Sequence, residues 1–275
     1  MRAKGIDISH WQGMFKDQGN IDFIIIKATE ETEWIDPDFE NHIVEAETVP
    51  IRGAYHYFRT AYNPFLQAIH FYETTKKRGF HFLAVDYEKT NNTLDWAGEN
   101  NFKKFWDYLH DLTSLPVVLY TSPYIFRDNL CAYNVYWKDV PLWMAHYNGL
   151  DPQNAAPTVF GASGWLLWQY SCTGKGGSYG VESTYVDENV FNGTIEEMNN
   201  LMGIILPIPG EDQMSKWYAS KTLWFSVLFG LVNLAGIFGY GDFTPSPEVV
   251  QYVGIAVSVI GAIVGVVVKY FENKD

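Results

Sequence analysis

Cysteine is almost absent from this chain: Cys131 and Cys172 are the only two in 275 residues. Two cysteines without metal-ligand spacing make neither a disulfide framework nor a thiolate cluster, and they read as free thiols in a reducing compartment. The seven histidines show no His-Glu-x-x-His pattern, so no metal and no cofactor is expected. Positive charge is scarce as well. Nineteen Lys and Arg stand against 32 Asp and Glu, a formal net charge of −13. A chain so short of cations lacks the basic face that binds phosphates, which excludes nucleic acid as a partner. Met1-Arg2-Ala3-Lys4 runs straight into a strand-like segment without the apolar stretch of a secretory signal, and none is expected.

Aromatic residues, in contrast, are abundant. They make up 17% of the chain, with ten Trp and eighteen Tyr. Most belong to a core. Those with a polar tip also suit carbohydrate grooves, where ring faces pack on the apolar faces of sugars.

Residues 1–203 read as alternating strands and helices. Gly5–Ser9 is a short alternating strand. Ile21–Lys27 is a continuous β-branched run, expected of a strand buried on both faces. A helix follows from about Pro37 to Glu47, then a strand over Ile51–Phe58. Asn63-Pro64 opens a helix that runs to about Arg78, with Gly79 at its end. The fourth strand, Phe82–Glu88, carries two acids. Asp95 caps a helix to about Leu112, with Phe102, Phe105, Trp106 and Leu109 on one stripe. Pro116–Thr121 is the fifth strand, and a short helix is signalled near Pro123–Leu130. Beyond it the helices thin out. Pro141–Tyr147 and Gly164–Tyr170 look like strands, and a loop at Gly174–Gly180 leads to the strand Thr184–Asn189. Thr194-Ile195-Glu196-Glu197 resembles a capping box before a last helix. The expected fold is α/β: an irregular, TIM-like (β/α) barrel with about five βα units and then strand-rich units.

The apolar run that ends in Asp86-Tyr87-Glu88 carries the chemistry. Side chains two apart leave the same face of a strand, so Asp86 and Glu88 project together where a buried strand emerges. In a barrel of parallel strands that is where active sites sit. Crowded carboxylates push their pKa values apart, which equips them for general acid catalysis on a glycosidic bond. An acidic turn after a core strand fits the pattern equally well.

From Ile204 the character changes. Residues 204–221 read as a linker, and 222–275 as a membrane hairpin with helices at about 222–241 and 249–268. Each helix holds about twenty residues without a charge. A pair of buried helices in an accessory domain is the alternative. Gly261 and Gly265 form a GxxxG spacing suited to close packing and self-association in a lipid bilayer. Lys216, Lys221, Lys269 and Lys274 flank the helices while the joint carries only acids. This bias puts both termini on the cytoplasmic side.

Five stretches together resemble the family 25 glycoside hydrolases, the muramidase type of lysozyme. They are Gly5-Ile6-Asp7-Ile8-Ser9-His10-Trp11-Gln12-Gly13, Gly53-Ala54-Tyr55-His56-Tyr57, Val85-Asp86-Tyr87-Glu88, Leu167-Trp168-Gln169-Tyr170 and Val186-Asp187-Glu188-Asn189. The resemblance implies hydrolysis of the β-1,4 bond between N-acetylmuramic acid and N-acetylglucosamine in bacterial peptidoglycan. It implies Glu88 as general acid, with Asp7, Asp86 and Asp187 around the same cleft. Tyr55, Tyr57, Tyr120, Trp143, Tyr147 and Trp168, at or near strand ends, are the candidates for substrate contact. His10 and His56 read as packing or supporting residues. Either the 2-acetamido group of the substrate or a carboxylate serves as nucleophile.

With the hairpin, which is similar to small phage holins, the whole chain reads as a phage endolysin at the host inner membrane. The alternatives are a non-catalytic, membrane-anchored binder of wall glycan and an enzyme acting on chitin-like polymers.

Overall fold

The computed structural model describes residues 1–88, 96–131 and 135–203. Within them lie nine strands: β1 (Lys4–Ile8), β2 (Phe23–Glu30), β3 (Trp34–Ile35), β4 (Ile51–Tyr57), β5 (Phe82–Asp86), β6 (Val117–Thr121), β7 (Leu142–Ala145), β8 (Leu167–Lys175) and β9 (Tyr185–Phe191). The helices are α1 (Phe39–Glu45), α2 (Pro64–Thr75), α3 (Trp96–Leu112), α4 (Pro123–Ile125), α5 (Gly176–Tyr179) and α6 (Ile195–Leu201). The strands pair in the order β1-β9-β8-β7-β6-β5-β4-β2-β3, and β1 also pairs with β2. Eight strands therefore close a ring, with β3 as a short antiparallel addition to β2.

The expected barrel is present, with one correction. It is not wholly parallel. β9 runs antiparallel to both of its neighbours, β1 and β8. The loop between β8 and β9 is too short for the crossover a parallel connection needs, so the chain turns back as a hairpin. β8 also reaches farther than the sequence suggests. It starts at Leu167 and continues to Lys175, and the rest of the expected loop contains the single turn α5.

Two apolar layers hold the barrel. Alternation along the strands sends Ile24, Ile26, Leu83, Val85 and Leu119 outward against the helices, where Phe71, Phe102, Phe105, Trp106 and Leu109 meet them. Phe23, Ile25, Ile51, Phe82, Ala84 and Val118 point inward. Gly5 and Gly53 make room for this filling. A Cβ on Gly5 would lie 2.3 Å from the Phe23 carbonyl oxygen, and one on Gly53 would lie 2.4 Å from the Phe82 ring. The capping box at Thr194 and Glu197 starts α6 as expected. Met198 of α6 and Met202 just after it pack with Ala3, Phe23 and Phe191 at the end of the barrel where the parallel strands begin. That end is filled, and the opposite end carries the polar side chains.

α2 stops at Thr75, short of the expected Arg78. Lys76 is already extended, and Lys77 takes a positive φ of 60°. The short helix α4 continues as a wide π-helical turn over Phe126–Cys131. Asp95, the linker 204–221 and the hairpin 222–275 lie outside the described residues. Among the described residues no helix is long and apolar enough to cross a membrane.

Candidate active site

At the carboxyl ends of the parallel strands a cleft of about 250 Å³ opens, lined by Asp7, Asp86, Glu88 and Asp187 with Lys27, Tyr55, Tyr57, Tyr120, Trp143 and Gln169. Three strands deliver the carboxyls. Asp7 is the penultimate residue of β1, Asp86 ends β5, and Asp187 lies on β9 directly across from Asp7. Glu88 sits just past β5. The strand alternation is nevertheless maintained there, because Tyr87 N–H donates to the Tyr120 carbonyl (2.9 Å) and Thr121 Oγ1 to the Tyr87 carbonyl (2.8 Å). Tyr87 therefore turns outward, its ring 4.4 Å from that of Phe102, while Asp86 and Glu88 turn into the cleft.

A chain of amides and aromatic donors fixes Asp7. Its Oδ2 accepts from Gln169 Nε2 (2.8 Å) and from Asn189 Nδ2 (2.7 Å). Gln169 Oε1 accepts from the hydroxyls of Tyr120 (2.9 Å) and Tyr147. Asn189 Oδ1 accepts from Trp143 Nε1 (2.7 Å). Each amide thus has its oxygen committed to an outside donor and its nitrogen aimed at one carboxylate oxygen.

Asp86 is arranged differently. It is 7% exposed, and its Oδ1 has no hydrogen-bond partner among the described residues. An unsatisfied buried acceptor costs roughly 1–3 kcal/mol. At the wall of the cleft, this oxygen is free to accept from a donor that enters there.

Lys27 is the one cation among the residues lining the cleft. Its Nζ bonds Glu30 Oε2 (2.8 Å) and lies 5.0 Å and 5.1 Å from the ring centres of Trp34 and Tyr57. Arg59 Nε bonds the other Glu30 oxygen (2.7 Å). In a regular strand residues 27 and 30 face opposite ways. A bulge makes the pairing possible: Lys27 pairs with Tyr55, Thr29 with His56, and the extra residue Ala28 shifts the alternation by one.

Burial raises every carboxyl of the cleft. Asp7 is pushed up to about 6, with the bonds from Gln169 and Asn189 pulling against burial and the charge of Glu88 adding to it. Asp187 is pushed up to about 8 by burial, then by the charges of Asp7 and Glu88. Asp86 is raised well above the usual range by burial and then by Glu88, with Lys27 opposing. Glu88 is raised by burial, against the Tyr120 hydroxyl and Lys27. Four negative charges do not coexist in so small a space, so the cleft carries protons at neutral pH. It offers a proton source and, in Asp7, a carboxylate that ionises before its neighbour Asp187. That combination serves acid cleavage through a cationic transition state.

Of the ten residues expected from sequence, Asp7, Asp86, Glu88, Asp187, Tyr55, Tyr57, Tyr120 and Trp143 meet in this cleft. Tyr147 stands at the rim, half exposed, with its hydroxyl on Gln169. Trp168 is elsewhere. It is fully buried, its Nε1 donates to the His146 carbonyl (2.8 Å), and its ring packs near Trp165 and Tyr170. His56 is a supporting residue: it lies on the outer face of β4, bonded to Thr29 Oγ1 (2.8 Å), with its ring 5.1 Å from Phe105. Lys27, Gln169, Asn189 and Trp11 were not singled out by residue type.

Known proteins share the fold of this chain. The family model described as "Glycosyl hydrolases family 25" matches residues 6–178. The chain is similar to the uncharacterized protein YegX of Escherichia coli O6:H1, 30% identical over 216 residues covering 74% of this chain and 75% of that one. It is similar to Lysozyme M1 of Streptomyces globisporus, 30% identical over 209 residues covering 70% and 68%. Among solved structures it resembles the bacterial lysozyme from Streptomyces coelicolor, with a TM-score of 0.61 and 28% identity, covering 74% of this chain and 97% of that one.

Proposed function

Because the chain belongs to glycosyl hydrolase family 25, we propose that it is a muramidase that cleaves the β-1,4 bond from N-acetylmuramic acid to N-acetylglucosamine in peptidoglycan. The observation that carries this reading is the convergence of Asp7, Asp86, Glu88 and Asp187 from three strand ends in one cleft. Glu88, protonated, gives its proton to the glycosidic oxygen as the bond breaks. The unpaired Asp86 Oδ1 accepts the N–H of the substrate's 2-acetamido group. Its carbonyl oxygen then attacks the anomeric carbon from the opposite side. A donor on Asp86 favours its ionised form, which leaves the shared proton to Glu88. Ionised Asp7 faces the positive charge that develops on the sugar. Glu88, now a carboxylate, takes a proton from the water that opens the cyclic intermediate and is restored. A carboxylate nucleophile is the competing route, and a glycosyl ester trapped on any Asp would establish it instead.

The test is digestion of purified cell walls followed by borohydride reduction. New reducing ends on muramic acid are expected, lost about 10²–10⁴-fold in Glu88→Gln. Reducing ends on glucosamine, or equal activity in the variant, would overturn the assignment. Release of products from chitin in place of walls would change the substrate. The non-catalytic reading has no observation in its favour, since all four carboxyls face the cleft.

The lytic setting belongs to the same proposal. Residues 222–275 hold the enzyme at the host inner membrane as a two-helix hairpin, with Gly261 and Gly265 at a self-contact and both termini in the cytoplasm. The domain meets the wall once the membrane is breached, as in phage endolysis. Its support is the uncharged length of the two segments and the lysines that flank them. Protease added to spheroplasts before lysis should leave residues 1–203 intact, and cleavage from outside would reverse the topology.

A further inference from the structure

Trp11 is 76% exposed, yet it lines the catalytic cleft. Its surroundings hold it in place closely for so exposed a side chain. It sits in a 3₁₀ turn, His10–Gln12, closed by a capping box: Trp11 N–H donates to Ser9 Oγ, and Ser9 N–H donates to Gln12 Oε1 (2.9 Å). Gly13, at a φ of 66°, ends the turn. Asp36 grips the turn from one side, accepting from His10 N–H (3.1 Å) and pairing with His10 Nδ1 (2.8 Å). The β8–β9 hairpin grips it from the other, with Ser183 N–H on the Gln12 carbonyl (3.0 Å). The His10 ring lies between Trp11 (4.5 Å, tilted by 39°) and Trp34 (5.6 Å, edge-on). One side of the indole is backed and the rest faces solvent.

The cleft itself is small. Pockets that enclose a drug-sized ligand hold roughly 300–1,000 Å³, and this one holds about 250 Å³. It accommodates little more than the sugar under attack. A polymer cut in the middle must lay its next rings on the surface around the mouth. There the structure offers a large, preorganised apolar plane, whose ordering cost is already met by the fold.

We propose that Trp11 is a stacking platform for a pyranose ring of the glycan next to the one held in the cleft, and so sets the length of glycan the enzyme grips. The inference rests on the muramidase reading. The indole takes the C–H face of the sugar, and His10 with Asp36 keeps it upright. Trp11 takes no part in proton transfer.

The experiment uses the full chain and its Trp11→Ala and Trp11→Phe variants. Calorimetry with N-acetylglucosamine oligomers of two, three and four units gives the affinity gained per added ring, and wall digestion gives kcat and KM. In Trp11→Ala, the gain on lengthening should fall about tenfold, equivalent to about 1.4 kcal/mol, and KM should rise with kcat held within about twofold. Trp11→Phe should restore most of both, since a flat ring remains. Indole emission of the wild type should shift on adding the longer oligomers, and the shift should shrink in Trp11→Phe, where Trp143 is the remaining indole lining the cleft. Equal affinities and KM in the wild type and Trp11→Ala, with walls still digested to muramic ends, would overturn the platform while leaving the muramidase intact. A loss at every oligomer length together with a lowered melting temperature would assign Trp11 to the turn and overturn it too. Failure of the wild type to bind oligomers while still opening walls would overturn the platform alone, and failure to open walls would sink both readings.

Discussion

Asp7 and Asp187 are cross-strand partners on the antiparallel pair β1 and β9. Side chains so placed have their Cβ atoms about 4.5–5.5 Å apart. Two carboxyls at that spacing behave as a pair, with one proton between them over part of the pH range. Donors from Gln169 and Asn189 converge on Asp7 alone, so Asp7 is the member that ionises first.

The pair has a stability cost with a definite sign. The Asp187 carboxyl, held at about 8 in the folded protein against a usual 3.8, binds its proton more tightly folded than unfolded. Its contribution is therefore present at low pH and lost as pH rises from about 4 through about 8. Asp187→Asn, which cannot ionise, should melt higher than the wild type at pH 8, by roughly 2–4 °C for each kcal/mol relieved in a domain of this size. The difference should shrink toward pH 4. A variant that melts lower by the same margin at both pH values would show that the carboxyl is not under this strain.

Lys27 sets the proton affinity of the catalytic carboxyls. Its charge lowers both Asp86 and Glu88 against burial. Removing it in Lys27→Met should raise both. The acid limb of kcat/KM, which reports the carboxyl that must ionise, should move to higher pH, and Lys27→Arg should bring it back. ¹³C NMR of the carboxyl carbons reads the same shift without substrate. A uniform loss of activity at every pH would reduce Lys27 to a packing role.

His56 works in the opposite direction to the acids. Buried among Thr29, Gln67 and Phe105, it is held neutral, down to about 3 from 6.5. Its contribution to stability is present above about 6.5 and is lost as pH falls toward 3. His56→Gln should cost stability at pH 7, since two hydrogen bonds and a ring contact change. The gap to the wild type should narrow as pH drops from 6.5. A gap that stays constant down to pH 4 would rule this out.

Where alternation and residue type agree, the site was legible. Asp86 and Glu88 share a parity along one strand, Tyr55 and Tyr57 along another, and all four reach the cleft while Tyr87 and His56 turn away. Where the two disagree, residue type misleads. On β8 the inward positions are Leu167 and Gln169, so the aromatic Trp168 between them faces outward and the plain amide does the work. Gln169 and Asn189 escaped because an amide has no chemistry of its own until its neighbours orient it. Lys27 was hidden at the end of an apolar run, and the bulge at Ala28 that pairs it with Glu30 leaves no mark in the composition. The direction of β9 was hidden, since the strand expected over Gly164–Tyr170 leaves room for a crossover, and only its extension to Lys175 makes the link to Tyr185 too short. The expected hairpin, beyond residue 203, rests on apolar length and flanking lysines and lies outside the described residues.

The reversed strand has a further consequence during synthesis. β9 supplies Asp187 and Asn189 and seals the seam between β1 and β8. The first strand made and the last strand of the barrel are neighbours. Until Phe191 has been made, the ring of strands lacks its closing member, and Asp7 lacks the Asn189 donor and its Asp187 partner. The cleft is thus completed only where the last strand of the barrel meets the first.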